Sequence, residues 1–358
     1  MLKLFVLIFK IVASLIFLIG LAILLSYRSD IDPEVLVEKY SSESSYFVHV
    51  DGIDLHVKVK GEGEPIFLIH GSFSSLHAWQ DWEEELSQYF MTISMDLPGH
   101  GLTGPDSQKR YNVNDYASLL FELADNLGLE EFHIAGNSMG GGVALKMASD
   151  KPERVLSLNL IDSSGAPRQI SENSEPKAKS KNTTPSIIRL AQTPLFSKIL
   201  LKCTPEFLFR RNLKQVYYDQ KKIKPQQVTR YYELMRREGN RQATIDRLTF
   251  RKPLEIDFEK IKMPVLITWG REDTWIPLAN GKKLAEAIPG SKLKVFDQAG
   301  HVPMEEIPTE TVAEYLSFLG IQSNIDYFSA PKYYSHVGRE YNLFPFVNSD
   351  ISSLLPNL

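Results

Sequence analysis

The chain has 358 residues, 43% of them hydrophobic and 23% charged, a balance that excludes wholesale disorder and allows one large domain or two ordinary ones. Its 40 Lys and Arg against 44 Asp and Glu give a formal charge of -4, so no basic surplus marks a nucleic-acid binder. A single cysteine, Cys203, excludes an internal disulfide framework and any multi-cysteine zinc site.

From Leu4 to Leu25 the chain is apolar except for Lys10. Twenty-two residues make about 33 Å of helix, enough to cross a hydrocarbon core. Lys10 lies near the amino end, where its ammonium can reach the headgroups. A cleaved signal peptide also begins with a basic residue, but this run is longer than an ordinary signal core and ends in Ile-Leu-Leu-Ser-Tyr-Arg, without a small-x-small cleavage site. Residues 4–25 therefore read as a single-pass signal anchor and 26–45 as a surface linker. Lys3, Lys10 and the amino terminus outweigh Arg28 and Lys39 slightly. That bias places the body in the periplasm or outside the cell.

Beyond the linker, Tyr46 to Val50 and Ile53 to Val59 flank Asp51-Gly52, a hairpin signal. Short apolar runs follow at Pro65 to Ile69, Phe90 to Met95, Phe132 to Ala135, Val155 to Ile161, Val265 to Trp269 and Leu293 to Phe296. Helical spacing separates them at Val113 to Leu127, with Asn114 as the expected cap, and at Met139 to Ala148, Ala279 to Ala287 and Thr309 to Leu319. The alternation predicts an α/β fold, a mostly parallel central sheet with helices on both faces. Core segments at 46–168 and 256–320 bracket an insertion at 169–255. The insertion opens polar and continues as apolar and basic residues in apparent helices, a cap with apolar residues such as Ile187, Leu195 and Leu201 for a roof. Residues 321–358 form an aperiodic tail rich in Tyr and Phe, expected to pack on the body, a membrane or a partner.

Chemistry concentrates at Gly136-Asn137-Ser138-Met139-Gly140, a G-x-S-x-G between a strand and a helix. A sharp strand-to-helix turn there lifts the Ser138 hydroxyl above the sheet and sets a helix amino terminus beneath it. The serine needs a base and the base an orienting acid. His301 and Asp273 both fall just beyond strand carboxyl ends, on the edge where Ser138 emerges, in the order Ser, Asp, His. His100 is a weaker base candidate; Glu272 and Asp162 are alternative acids. The oxyanion donors expected are the Met139 amide and an amide of His70-Gly71-Ser72-Phe73, with Ser72 favoured over Phe73. Gly71 permits the tight turn, and His70 reads as structural. Asn137 adjoins the nucleophile and is counted with the pocket.

These motifs, together with Met95-Asp96-Leu97-Pro98-Gly99-His100-Gly101, GREDTWIP from Gly270 and AGHVPMEEIP from Ala299, resemble the α/β-hydrolase fold family over about Tyr46 to Gly320. In detail the chain is similar to capped serine esterases and to hydrolases of meta-cleavage products. The resemblance implies a triad of Ser138, Asp273 and His301, an Asp96 that braces its loop, and Trp275 and Trp79 as pocket-wall or packing aromatics. It implies no cofactor and no metal. Serine at the elbow departs from the haloalkane dehalogenases and epoxide hydrolases of the family, which carry aspartate there; GNSMG also differs from the GGSWG common in proline aminopeptidases.

The function expected is hydrolysis of a small-molecule or lipid carboxylic ester through an acyl-enzyme. Carbon–carbon bond hydrolysis of the meta-cleavage type is the alternative, followed by amide or peptide hydrolysis and acyl transfer. A membrane-tethered binding protein is the non-enzyme alternative. No protein partner is indicated.

Overall fold

In a computed structural model, residues 2–167, 201–249 and 252–321 are described. The polar start of the insertion, its apolar run before Leu201 and nearly all of the aromatic tail fall outside them.

Eight strands form one sheet: β1 (Ser45–Val50), β2 (Ile53–Lys60), β3 (Pro65–Ile69), β4 (Met91–Met95), β5 (Phe132–Asn137), β6 (Val155–Ile161), β7 (Val265–Gly270) and β8 (Lys292–Phe296). Their order is β1-β2-β4-β3-β5-β6-β7-β8. The β1–β2 hairpin and the β2–β4 pair are antiparallel, and every later pair is parallel. Every residue of β3, β4, β5 and β7 is buried. Cover on both faces is the reason these strands read as continuous apolar runs.

Helices α3 (Gln80–Leu86), α4 (Val113–Asn126), α5 (Met139–Asp150), α9 (Ala279–Ala287), α10 (Pro303–Glu306) and α11 (Pro308–Phe318) surround the sheet. Trp79 and Trp82 lie in the core on the β3 side with Tyr315 of α11, so Trp79 is a packing residue and not a pocket wall. The cap of α4 is Asn112, two residues before the Asn114 expected from sequence. Its Oδ1 accepts from the Asn114 and Asp115 amides at 3.1 and 3.2 Å, and an extended backbone at 112 sets that geometry.

At the amino end, α1 (Leu2–Ser26) contains a segment, Lys3–Ser26, long and apolar enough to cross a membrane, with none of its most apolar window buried. The stretch read as a surface linker contains a short helix. Asp32 caps α2 (Pro33–Tyr40), accepting from the Glu34 amide at 2.9 Å, and proline occupies the first turn. Leu36 of α2 is buried with Leu102 and Leu234.

The insertion supplies α6 (Glu206–Val216), α7 (Pro225–Met235) and α8 (Asn240–Thr249). The chain after α1 is pinned to this cap. The Arg28 amide donates to the Lys202 carbonyl at 2.7 Å, Ile31 pairs with Arg237, and Asp30 accepts from Lys202 and Arg241, each at 2.5 Å.

β3 sits between β4 and β5, so the connections after β3 and β5 leave in opposite directions and open a crevice at the carboxyl edge. The elbow after β5 closes only because small residues line it. A Cβ at Gly140 would fall on the Ile69 carbonyl oxygen, a backbone atom that has no rotamer to retreat into. Gly140→Ala is therefore expected to cost about 3 kcal/mol or more in denaturant unfolding, and a stability within about 0.5 kcal/mol of the parent would show the elbow to be loosely packed.

Candidate active site

Ser138 stands at the end of β5 with φ 55° and ψ -115°, a backbone conformation that L-residues rarely adopt. Its amide donates to the Ile161 carbonyl at 3.0 Å, and its carbonyl accepts from the Gly142 and Ser164 amides at 3.2 and 2.9 Å. Those three bonds hold the strained turn. Met139 opens α5, so its amide belongs to the first-turn donors that have no acceptor within the helix.

Asp273 and His301 come together as expected, on the loops after β7 and β8. His301 Nδ1 lies 2.7 Å from Asp273 Oδ2. The other carboxylate oxygen accepts from the Trp275 and Ile276 amides at 2.7 and 3.0 Å. Three donors thus fix the carboxylate, and both side chains are almost fully buried. Trp275 lies over the imidazole with ring centroids 5.5 Å apart. Ser138 and His301 line one cavity with Gly71, Ser72, Phe73 and Asn137.

The alternative acids separate by geometry. Glu272 turns away and accepts from the Ala299 amide at 3.1 Å. Asp162 stays close: its carboxyl, that of Asp273 and the imidazole present atoms all within 4.8 Å of one another. Asp162 Oδ1 accepts the Gly270 amide at 3.0 Å. Burial, then the neighbouring Asp273 charge, pushes the Asp162 carboxyl well above the usual range. Asp162 thus stands beside Asp273 as a second buried carboxyl at the same imidazole. The direct Nδ1–Oδ2 bond fills the space a cation would need between His301 and Asp273.

The residues read as supporting ones are held by the hydrogen bonds that follow. His70 is buried, Nδ1 2.7 Å from the Gly71 carbonyl and Nε2 accepting the Leu97 amide at 3.0 Å, so it ties the β3 loop to the β4 loop. Asp96 accepts the Leu76 and Leu102 amides, both at 2.8 Å, and meets His56 Nδ1 at 2.8 Å. Burial alone would raise the Asp96 carboxyl, but the His56 bond and the charge of the surrounding histidines hold it well below the usual carboxylate range. His56, a partner not recognised from the sequence, stands on β2 and reaches Asp96 across the antiparallel pair. His100 is buried against His70, and burial carries its pKa well below the ordinary value; it does not line the cavity with Ser138 and is no base for it. Asn137 Nδ2 donates to the Ile161 and His301 carbonyls at 3.2 and 3.0 Å, fixing the base loop against the elbow.

The cap adds groups that sequence reasoning missed. Phe209, Leu213 and Val216 of α6 give the cavity an apolar wall, and Tyr231 of α7 reaches its rim. The Tyr231 hydroxyl donates to half-buried Glu305 and lies 3.1 Å from Ser74 Oγ. Arg247 of α8 donates to Ser72 Oγ at 2.9 Å and places its guanidinium 5.2 Å from the Phe73 ring. A cation thus stands behind the loop expected to bind an oxyanion. In the sequence, these residues are indistinguishable from other polar members of amphipathic helices.

Residues 64–308 match the family model described as alpha/beta hydrolase fold. The chain belongs to the alpha/beta hydrolase fold family. Among curated relatives of this hydrolase, a 2-hydroxy-6-oxo-6-phenylhexa-2,4-dienoate hydrolase of Comamonas testosteroni is 28% identical over 286 residues, 74% of this chain and 93% of that protein. A 2-hydroxymuconate semialdehyde hydrolase of Pseudomonas sp. (strain CF600) is 29% identical over 253 residues, 70% of this chain and 84% of that protein. Among solved structures, a membrane phospholipase A matches with a TM-score of 0.64 and 25% identity, covering 88% of this chain and 96% of that one.

The two carboxyls beside His301 make different predictions. Asp273→Asn is expected to lower kcat about 10⁴-fold by releasing the imidazole from its tautomer, and Asp162→Asn less than about tenfold because the three donors to Asp273 remain. Steady-state rates of both variants check this; a larger loss for Asp162→Asn would exchange the two roles.

Proposed function

We propose that this chain is a membrane-anchored serine hydrolase in which Ser138 attacks a carbonyl carbon. The observation that carries this is the 2.7 Å Asp273–His301 bond beside the strained Ser138 turn, in one apolar cavity. In this reading Asp273 accepts the Nδ1 proton, leaving Nε2 to take the proton from Ser138 as Oγ bonds to carbon. The Met139 amide and an amide of Ser72 or Phe73 receive the oxyanion. The imidazolium protonates the leaving group, and water then attacks the acyl-serine by the same path in reverse.

Two leaving groups suit this apparatus. The relatives favour a carbon–carbon bond over the simple ester expected from sequence, since two of them are named as hydrolases of a dienoate and of a semialdehyde and a structural neighbour is named a meta-cleavage product hydrolase. In that case the electron pair of the broken bond passes to a carbon stabilised as an enolate, which takes the imidazolium proton. Arg247 beside Ser72 supports an acidic substrate of this kind. The second reading, a membrane-lipid ester, is favoured by α1 and by the likeness to a membrane phospholipase A over 88% of the chain. There the leaving group is an alkoxide.

Full-length protein in detergent would be assayed with 2-hydroxy-6-oxo-6-phenylhexa-2,4-dienoate and with p-nitrophenyl esters of increasing acyl length, beside Ser138→Ala. Turnover of the dienoate is expected to exceed that of every ester, and to fall about 10⁴-fold or more in the variant. Serine-dependent turnover of esters alone would move the lipid reading first. Activity retained in Ser138→Ala would overturn both.

A further inference from the structure

The cap helix α6 is tied down at both of its ends. α6 has 11 residues and is about 16 Å long. Before its first turn, Cys203 Sγ lies 3.5 Å from the Ile23 carbonyl, and the Lys202 carbonyl accepts the Arg28 amide at 2.7 Å. The start of α6 is thereby fixed against the last turn of α1. At its other end, the Val216 carbonyl accepts the His301 amide at 2.7 Å, and the Gln215 carbonyl accepts from Thr274 Oγ1 at 3.0 Å. Between these ends, Leu213 and Val216 turn into the cavity.

On the opposite face, the side chains are open to solvent among the described residues. Phe207 is 63% exposed, and Arg210, Arg211 and Lys214 are exposed beside it. A large aromatic next to cations, at the level where an apolar helix ends, matches the boundary between acyl chains and headgroups. We propose that the outer face of α6 lies on the anionic leaflet next to the carboxyl end of α1, with Phe207 immersed, so that one helix forms both the membrane contact and a wall of the cavity. The occupant is a lipid surface. Continuity with α1 argues for it, as does the basic flank, which would be attracted to anionic headgroups. This inference rests on the reading of α1 as a membrane span. It deepens the second, lipid-ester reading of the proposed function by making an amphiphile resident in that leaflet the substrate class with the shortest path to Ser138.

The test uses the full chain with Cys203→Ser, carrying one new cysteine at Phe207→Cys, Arg211→Cys or Glu62→Cys. Glu62 lies in the turn before β3, on the sheet edge opposite the site. Each cysteine is coupled to an environment-sensitive nitrobenzoxadiazole dye in vesicles of equal parts phosphatidylcholine and phosphatidylglycerol. Expected are a blue shift and quenching by nitroxide-labelled lipid at 207, a smaller effect at 211 and none at 62. Equal emission at 207 and 62, whether shifted or unshifted, would overturn the proposal. In a parallel assay, Phe207→Glu is expected to lower turnover of a vesicle-embedded long-chain p-nitrophenyl ester about tenfold relative to the soluble butyrate. The dye signal needs no turnover, so failure of the hydrolase reading and failure of the membrane contact are separate outcomes.

Discussion

The positive φ of Ser138 is the constraint on which the site depends. It turns the chain from β5 into α5 within one residue, which exposes the hydroxyl and puts the start of a helix behind it. That turn is affordable only where the backbones of β3, β5 and α5 approach more closely than side chains allow, hence the glycines at 136 and 140. The same close approach brings the His70–Phe73 loop alongside the nucleophile, since β3 and β5 are neighbours in register. The Ser138 turn and the His70–Phe73 loop are thus products of one packing event.

The base side of the site is held from a different direction. Glu306 accepts the Gly300 amide at 2.8 Å, and also the Tyr218 and Asp219 amides at 3.2 and 2.6 Å. One carboxylate therefore ties the loop before His301 to the chain leaving α6. Its neighbour Glu305 takes hydrogen bonds from Tyr217, Gln227 and Tyr231 of the cap. Burial raises the Glu305 carboxyl above its usual range despite these donors. The consecutive acids after His301 fasten the cap to the His301 loop, and the segment 28–31 fastens the same cap to α1.

The sheet was legible because its strands are buried on both faces and are bounded by turn residues; even the edge strand β8 could be placed, since Phe296 and its neighbours precede a glycine-histidine loop. Ser138, Asp273 and His301 were legible because each follows a strand on the same edge, where topology alone brings them together. The order of the segment 26–45 was hidden: Asp32-Pro33 is a helix start, but only the distant Leu102 and Leu234 make a helix of eight residues worthwhile there. Tyr231 and Arg247 were hidden for a related reason, because their roles depend on where the cap lands. His56 reads as one residue of an alternating strand until the antiparallel partner supplies Asp96.

The most direct measurement is intact-mass and peptide mass spectrometry of the native full-length chain after exposure to a fluorophosphonate. A single phosphonate adduct on Ser138, slowed strongly in His301→Ala, is the expected result. A folded protein that takes no adduct, or takes it on another serine, would contradict the assignment of Ser138 as the nucleophile.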